Sequence, residues 1–439
     1  MGVLFLLSVK NGEFVGLHEP TYMGRPLLSC MKSGSFRLRH VFSAADEYYP
    51  LMIDRRKLLR AAGVLTGLWL LDRFAMTSSA FSVEPTSAKA AGFRMPLESD
   101  PHERTFMQWP SRAKIYGSKR ELNAVRAKIA LIAQSIARFE PVVVLARPEQ
   151  NDEAAKALGP GSGYSIEVWP INTEDLWCRD SGPTFVVSQS GKLAVSELGF
   201  NGWGNKQSHA DDGVIAKRVA ERLALTTYEN GIVGEGGGVE VDGAGTVLAH
   251  ASSWVNRNRN KGNKADVERL LLDALGAEKM IWAPGVKGAD ITDYHIDALA
   301  RFVKPGQVVI QLGKTVDRSD PWSVSAFETY EILKSARDAQ GRKLDIVVIP
   351  DPVKIRSTSR DFVSSYVNYF VCNGGVIGAE FGDNKADADA KSTLEKLYPA
   401  RTVLSLNVDP IGEAGGGIHC STQQQPAQTR RHFDEPNQG

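Results

Sequence analysis

The sequence predicts one α/β domain over residues 92–426, and three observations carry that reading. Segments with the 3.6-residue period of amphipathic helices alternate with short apolar runs of strand length from residue 95 onward. No tract rich in Pro, Ser or Gly divides this stretch, and low-complexity polar sequence begins only after Gln425. Across 439 residues, 42% hydrophobic and 23% charged, the composition is that of an ordinary globular chain able to bury a sizeable core.

The elements follow in order. Glu121 to Phe139 reads as a helix, with Leu122, Val125, Ile129, Ile132 and Ile136 on one face. Pro141 to Leu145 reads as a buried strand. A helix is predicted over 212–225. Val239 to Val241 and Thr246 to Leu248 flank Asp242-Gly243, the signature of a hairpin. Another helix covers 264–275. The strands 308–312 and 346–349 enclose a helix over 326–339, and a last helix over 388–398 precedes a strand over 402–406. Strand pairs and helices recur regularly enough to point to repeated units, although no exact sequence repeat is visible. The glycine-rich stretches 234–238 and 415–417 fall at expected strand ends, where backbone can approach a ligand.

The N-terminus reads as an export leader. Arg55-Arg56 is a twin-arginine pattern, the apolar run Ala61 to Leu71 follows, and Ala88-Lys89-Ala90 supplies small residues for a signal peptidase. That run is about half the ~20 residues that span a bilayer, so a stable membrane anchor is not expected. Met52 stands where a start codon belongs. Residues 1–51 therefore read as an over-extended start, 52–91 as the signal peptide, and 427–439 as a polar tail. The expected location is periplasmic or secreted.

Charge and cysteine usage exclude several classes. The 52 basic and 51 acidic side chains nearly cancel, so no nucleic-acid partner is expected. Cys30, Cys178, Cys372 and Cys420 form no CxxC pair and are too few for a disulfide scaffold.

Three clusters carry chemistry. The first is Gly415-Gly416-Gly417-Ile418-His419-Cys420, where the glycine run can present the cysteine in a pocket; read alone, Cys420 could equally be a small core residue. In the second, Asp293-Tyr294-His295-Ile296-Asp297, an extended strand would turn His295 and Asp297 the same way. A histidine beside a carboxylate suits acid–base work, and equally a structural contact. The third is Glu174 to Pro183, with Trp177, Arg179 and Asp180 before a Gly-Pro turn. An aromatic face beside a carboxylate suits a planar cation; the alternative is a solvated turn.

Together the clusters resemble the agmatine deiminase and bacterial-type peptidylarginine deiminase family. The resemblance extends through Met95-Pro96, Pro101-His102-Glu103, Trp109-Pro110, Trp177-x-Arg179-Asp180-x-Gly182-Pro183 and Phe200-Asn201-x-Trp203-Gly204. It continues through Glu235-Gly236-Gly237, Asn256-Arg257-Asn258-Arg259, Asp293-x-His295-x-Asp297, Tyr366-Val367-Asn368, Asn373-Gly374-Gly375 and Gly417-Ile418-His419-Cys420. It implies a pentein fold, an α/β propeller of five ββαβ-like units with five-fold pseudosymmetry around a central site. It also implies Cys420 as nucleophile, His295 as acid–base, and Asp180 and Asp297 as guanidinium-binding carboxylates. The implied reaction is hydrolytic deimination, agmatine giving N-carbamoylputrescine and ammonia, or an arginyl peptide as alternative because the chain carries an export leader. Passing the amidino group to an amine is a remoter variant.

The chemistry is consistent with these residue types. A guanidinium is planar, with N–H donors on every side, so two carboxylates can hold it by its edges. Its delocalised charge makes it a poor electrophile, which favours a thiolate nucleophile. No metal or organic cofactor is required. Trp177 is expected to line the pocket with Trp203. Glu235 either points at the substrate's far end or holds its loop. His419 and His102 are expected to be structural, and Cys178 and Cys372 core residues. Two rivals from other classes are a zinc site made of His295, Asp297, His419 and Cys420, and an exported protein that binds guanidino compounds without turnover. Oligomeric state is left open.

Overall fold

The computed structural model describes residues 86–428. The readings on 1–51, on 52–85, on Cys30 and on 429–439 lie outside the described residues. Among the described residues, no helix is long and apolar enough to cross a membrane.

Five small sheets make up the fold, and they share one plan. Val239–Val241 runs antiparallel to Thr246–His250; the helix Lys264–Leu275 follows, and Lys279–Ala283 returns parallel to Thr246–His250. The same order recurs in Ala300–Lys304, Gln307–Leu312, the helix Pro321–Ser335 and Asp345–Pro350. It recurs in Phe370–Cys372, Gly375–Ala379, the helix Asn384–Leu397 and Thr402–Leu406. Thr184–Ser188, Leu193–Glu197, the helix Ile215–Arg222 and Thr227–Glu229 repeat it with Phe93–Arg94 added at the edge. In each case a helix supplies the crossover that a parallel pair needs.

The remaining unit is assembled from both ends of the domain. Its first strand, Thr422–Pro426, pairs antiparallel with His102–Gln108. The helix Lys119–Ile136 then leads to Val142–Ala146, parallel to His102–Gln108, and Asn151–Leu158 leads on to Ile166–Pro170. Five ββαβ units thus close into the pentein-type α/β propeller.

Local sequence accounts for the elements. The helix Lys119–Ile136 begins where the Ser118 side chain accepts from the backbone N–H groups of Arg120 and Glu121, two residues before the predicted start. Leu122, Val125, Ile129, Ile132 and Ile136 are all buried, and each such side chain contributes roughly 1.5–3 kcal/mol. The predicted 326–339 helix begins earlier, at Pro321, because Asp320 caps it and proline suits the first turn. The predicted 212–225 helix is shorter, with a 3₁₀ turn Asp212–Val214 ahead of Ile215–Arg222.

Packing of the N-terminal edge bears on the leader. Ala88 is fully buried beside Val186 and Ala194, and Lys89 donates to the Ala277 carbonyl at 2.7 Å and pairs with Glu278 at 3.1 Å. The expected boundary at 91/92 therefore falls within a packed segment.

The repeated plan also fixes where a site can form. Asp180 lies in the short helix Cys178–Ser181 just before Thr184–Ser188, and Glu235 with Gly236–Gly238 just before Val239–Val241. Asp297 lies in the 3₁₀ turn Ile296–Ala298 just before Ala300–Lys304, Asn368 just before Phe370–Cys372, and Cys420 just before Thr422–Pro426. Each unit delivers side chains from the same place, the approach to its first strand.

Candidate active site

Those five approaches converge. The Cys420 sulfur lies 3.1 Å from Asn368 Nδ2 and 3.4 Å from Asp297 Oδ2. The Asn368 Oδ1 accepts from the Cys420 backbone N–H at 3.3 Å, so one side chain grips the cysteine at both ends. Asp180 accepts from the Gly237 N–H at 3.1 Å and from the Trp203 indole N–H at 2.8 Å. His295 Nδ1 is 3.6 Å from Asp180 Oδ1, and its Nε2 is 3.1 Å from Glu235 Oε2. Gly237 marks the meeting point. A Cβ there would sit 2.8 Å from both Asp180 Oδ1 and His295 Nδ1 and 3.2 Å from Asp297 Oδ2, so only glycine leaves this space open.

His295, Asp180, Asp297 and Cys420 are therefore brought together, though not as an extended strand would do it. Asp293 and Tyr294 adopt left-handed backbone, and Ile296–Ala298 is a 3₁₀ turn, so the turn aims His295 and Asp297 at the Gly237 space. Likewise His419 sits in a turn. It reaches behind Asp297, with Nδ1 2.7 Å from Asp297 Oδ2 and Nε2 2.7 Å from Glu98 Oε2. Glu98 in turn accepts from Val371 N–H and pairs with Arg179 and Arg301.

Two carboxylates with contrasting electrostatics flank Gly237. Asp297 is buried, which alone would favour its acid form, but the hydrogen bond and charge of His419 outweigh burial and hold it below the usual carboxylate range. Its Oδ1 is buried with no protein donor. A buried, ionised oxygen without a partner is costly unless a cation completes it. Asp180 is pushed up to about 6 by burial and by the nearby Glu235 and Asp297, with His295 opposing. Burial disfavours a charged His295, yet the Asp180 charge and the Glu235 hydrogen bond raise it to about 9. Cys420 is partly exposed, but burial of the sulfur and then Asp297 and Asp180 raise the thiol well above its ordinary range.

The expected pocket-wall residues divide. Trp177 and Trp203 share a cavity of about 500 Å³ with Tyr116, Asp175, Gln207 and Glu413. The Trp177 ring also packs so closely on Gly416 that a Cβ there would meet it at 2.4 Å. Glu235 does not face that cavity. Arg259 donates to its oxygens at 2.7 and 2.9 Å and His295 Nε2 takes the remaining contact, so it stands behind the imidazole. A larger cavity of about 660 Å³, walled by Trp282 and Phe327, touches none of these residues. Among the described residues, no group of three His, Cys, Asp or Glu side chains is arranged to hold a metal. Cys178 and Cys372 are buried, as is His102, which contacts Glu140 and the Glu98 carbonyl away from the site.

The model of the Porphyromonas-type peptidyl-arginine deiminase family matches residues 94–426. The chain belongs to this family. The agmatine deiminase of Pseudomonas aeruginosa is 36% identical over 371 residues, covering 78% of this chain and 98% of its own. That of Stutzerimonas stutzeri is 36% identical over 361 residues, covering 76% and 96%. Among solved structures, the agmatine deiminase of Enterococcus faecalis superposes with a TM-score of 0.72 at 29% identity, covering 79% of this chain and 99% of that one.

Three side chains at this family site were not singled out from sequence. Asn368 stood inside a matched motif but carried no chemical signature; only its place before a first strand marks it. Arg259 stood in Asn256-Arg257-Asn258-Arg259 without an assigned partner. Glu98 gave no local signal at all, because its meaning comes from Arg179, Arg301 and His419, each far away in sequence.

Proposed function

We propose that the chain hydrolyses the guanidinium group of agmatine to N-carbamoylputrescine and ammonia, with Cys420 as covalent nucleophile. The observation that carries this reading is Asp297. One of its oxygens lies 3.4 Å from the thiol while the other is buried and unpartnered, which is where a planar cation would dock beside a sulfur. The similarity to agmatine deiminases along nearly their full length supports the substrate. The enzyme is a hydrolase of C–N bonds in linear amidines.

Asp180 and Asp297 hold the guanidinium by its N–H edges. The bound cation offsets the carboxylate charge that keeps the thiol protonated, so as substrate seats the thiol releases its proton to solvent and the thiolate forms. Cys420 Sγ bonds to the central carbon. His295, protonated in the free enzyme, gives its proton to the departing nitrogen, and ammonia leaves. Neutral His295 then takes a proton from water, whose oxygen attacks the same carbon; the C–S bond breaks, the sulfur leaves as the thiol with the proton of the added hydroxyl, and the ureido product departs. Glu235 orients the imidazole from behind, and Trp177 and Trp203 wall the approach.

The test offers agmatine, free arginine and a blocked arginyl peptide separately and measures ureido product. Agmatine should give the highest kcat/KM, with one ammonia per ureido product. A peptide outrunning agmatine would replace this substrate with the second reading, peptidyl-arginine, which the export leader favours. Binding of agmatine with no product would leave a guanidino-compound binding protein instead.

We further propose that the protein is exported through Arg55-Arg56 and acts outside the cytoplasm. The packing of Ala88 on Val186 and Ala194 supports a cleavage upstream of residue 88 rather than at the Ala88-Lys89-Ala90 stretch. N-terminal sequencing of exported protein should give a start before residue 88, and a protein retained in the cytoplasm with residues 52–85 intact would refute export.

A further inference from the structure

Behind the imidazole of His295, one buried guanidinium touches both the carboxylate against the ring and the turn that precedes it. Arg259 donates through Nε to both Glu235 oxygens, at 2.7 and 2.9 Å, and Glu235 Oε2 stands 3.1 Å from His295 Nε2. Through Nη1 it donates to Asp293 Oδ2 at 2.7 Å, and through Nη2 to the Thr292 carbonyl at 3.0 Å. Its side chain is fully buried.

The second observation is backbone. Asp293 and Tyr294, the two residues before His295, have φ of 60° and 72°. Neither is glycine, and left-handed backbone at two successive non-glycine positions persists only where surroundings enforce it. Arg259 and Lys206 hold the Asp293 carboxylate, Gly288 N–H donates to its other oxygen, and Ser252 holds its carbonyl. The Tyr294 ring is packed between His250 and Trp322, each with centroids 4.4 Å away. The segment is thus clamped, and the clamp shares one side chain with the carboxylate behind the imidazole.

We propose that Arg259 is a positioning residue for the acid–base step, bracketing Glu235 and Asp293 so that His295 is held in line with the leaving nitrogen; this rests on the reading of His295 given above. The planar fork of arginine reaches two carboxylates and a carbonyl at once, which a lysine ammonium cannot do in the same geometry. A small loss of alignment at a proton donor is enough to cost about 10²-fold in rate.

Charge and geometry separate in two variants. Besides Glu235, the groups facing His295 are Asp180 and Asp297, with His250 behind Tyr294 and Lys206 sharing Asp293. Arg259→Lys keeps the charge and breaks the fork. It should lower kcat roughly 10- to 100-fold, with KM within about threefold and the pH limbs unmoved. Arg259→Gln also removes a cation beside Glu235, so His295 keeps its proton to higher pH. The alkaline limb of kcat/KM should then move upward as well.

Both variants are made in the full chain and checked for folding by circular dichroism and thermal melting. If Arg259→Gln does not fold, Arg259→Lys and Asp293→Asn carry the test, each expected to lower kcat more than tenfold. Folded variants with kcat within twofold of wild type and unmoved pH limbs would make Arg259 a stability anchor only. Wild-type protein inactive on every guanidino compound would instead refute the catalytic reading on which the proposal rests.

Discussion

Cys420→Ser should lower kcat on agmatine by at least about 10³-fold while leaving agmatine affinity within a few-fold. The sulfur is the only protein atom in the proposed scheme that bonds to carbon, and a hydroxyl at the same place is far harder to ionise. A loss of that size is about 4 kcal/mol of barrier. The carboxylates that would hold the cation are untouched, so titration of the variant with agmatine should still report binding. The same site electrostatics make a second measurement informative. Burial and the neighbouring Asp297 and Asp180 raise the free thiol, so little thiolate exists at pH 7 without substrate. Alkylation of Cys420 by iodoacetamide should be slow at neutral pH and climb steadily as pH rises into the alkaline range. Turnover by Cys420→Ser within tenfold of wild type would defeat covalent catalysis. Fast alkylation at pH 7 would defeat substrate-coupled ionisation.

How much of this was legible in the chain depends on how local the cause is. The helix Lys264–Leu275 keeps its predicted bounds because both ends are written in sequence: Asn263 and Asp266 form a capping box, and Gly276 closes it in left-handed backbone. The hairpin around Asp242-Gly243 is equally local. The helix from Pro321 starts five residues ahead of the predicted 326, because the Asp320 cap and Pro321 set its start rather than the apolar period. The strands 102–108 and 422–426 could not be paired from sequence, since their register joins the two ends of the domain. The spacing of His295 and Asp297 predicts same-side neighbours on a strand. They do meet, but through the left-handed turn at 293–294, which no residue type there announces. For Glu235 the sequence leaves two readings, the substrate's far end or the loop; its glycines open the site, while the carboxylate turns back to Arg259 and His295. Glu98 shows the limit. It is defined by three partners brought from the turn at 179, the strand at 301 and the turn at 419, and such a residue becomes visible only when the propeller closes.

Asp297→Asn should lower kcat/KM by roughly 10²–10⁴-fold, the equivalent of the 3–5 kcal/mol lost when one member of a buried charge pair is removed. Asp297 is the carboxylate held ionised in the free enzyme, and its Oδ1 has no protein donor. An amide of the same shape keeps an acceptor there but not the charge. It also brings N–H groups that must face either the cation or His419, and both are donors. Asp180 answers to the same cation differently. Its carboxyl titrates at about 6, so it carries charge only above that pH, and wild-type kcat/KM should fall as pH drops through that value. The Asp297 variant should keep an acid limb from Asp180, moved to lower pH because the Asp297 charge no longer raises that carboxyl, while the whole profile drops. Placing Asp297→Asn in the Cys420→Ser background and titrating with agmatine isolates binding from chemistry, and affinity should fall at least tenfold relative to Cys420→Ser alone. Unchanged affinity in that comparison would mean that the guanidinium does not dock on Asp297, and the buried oxygen would then need a different cation to explain it.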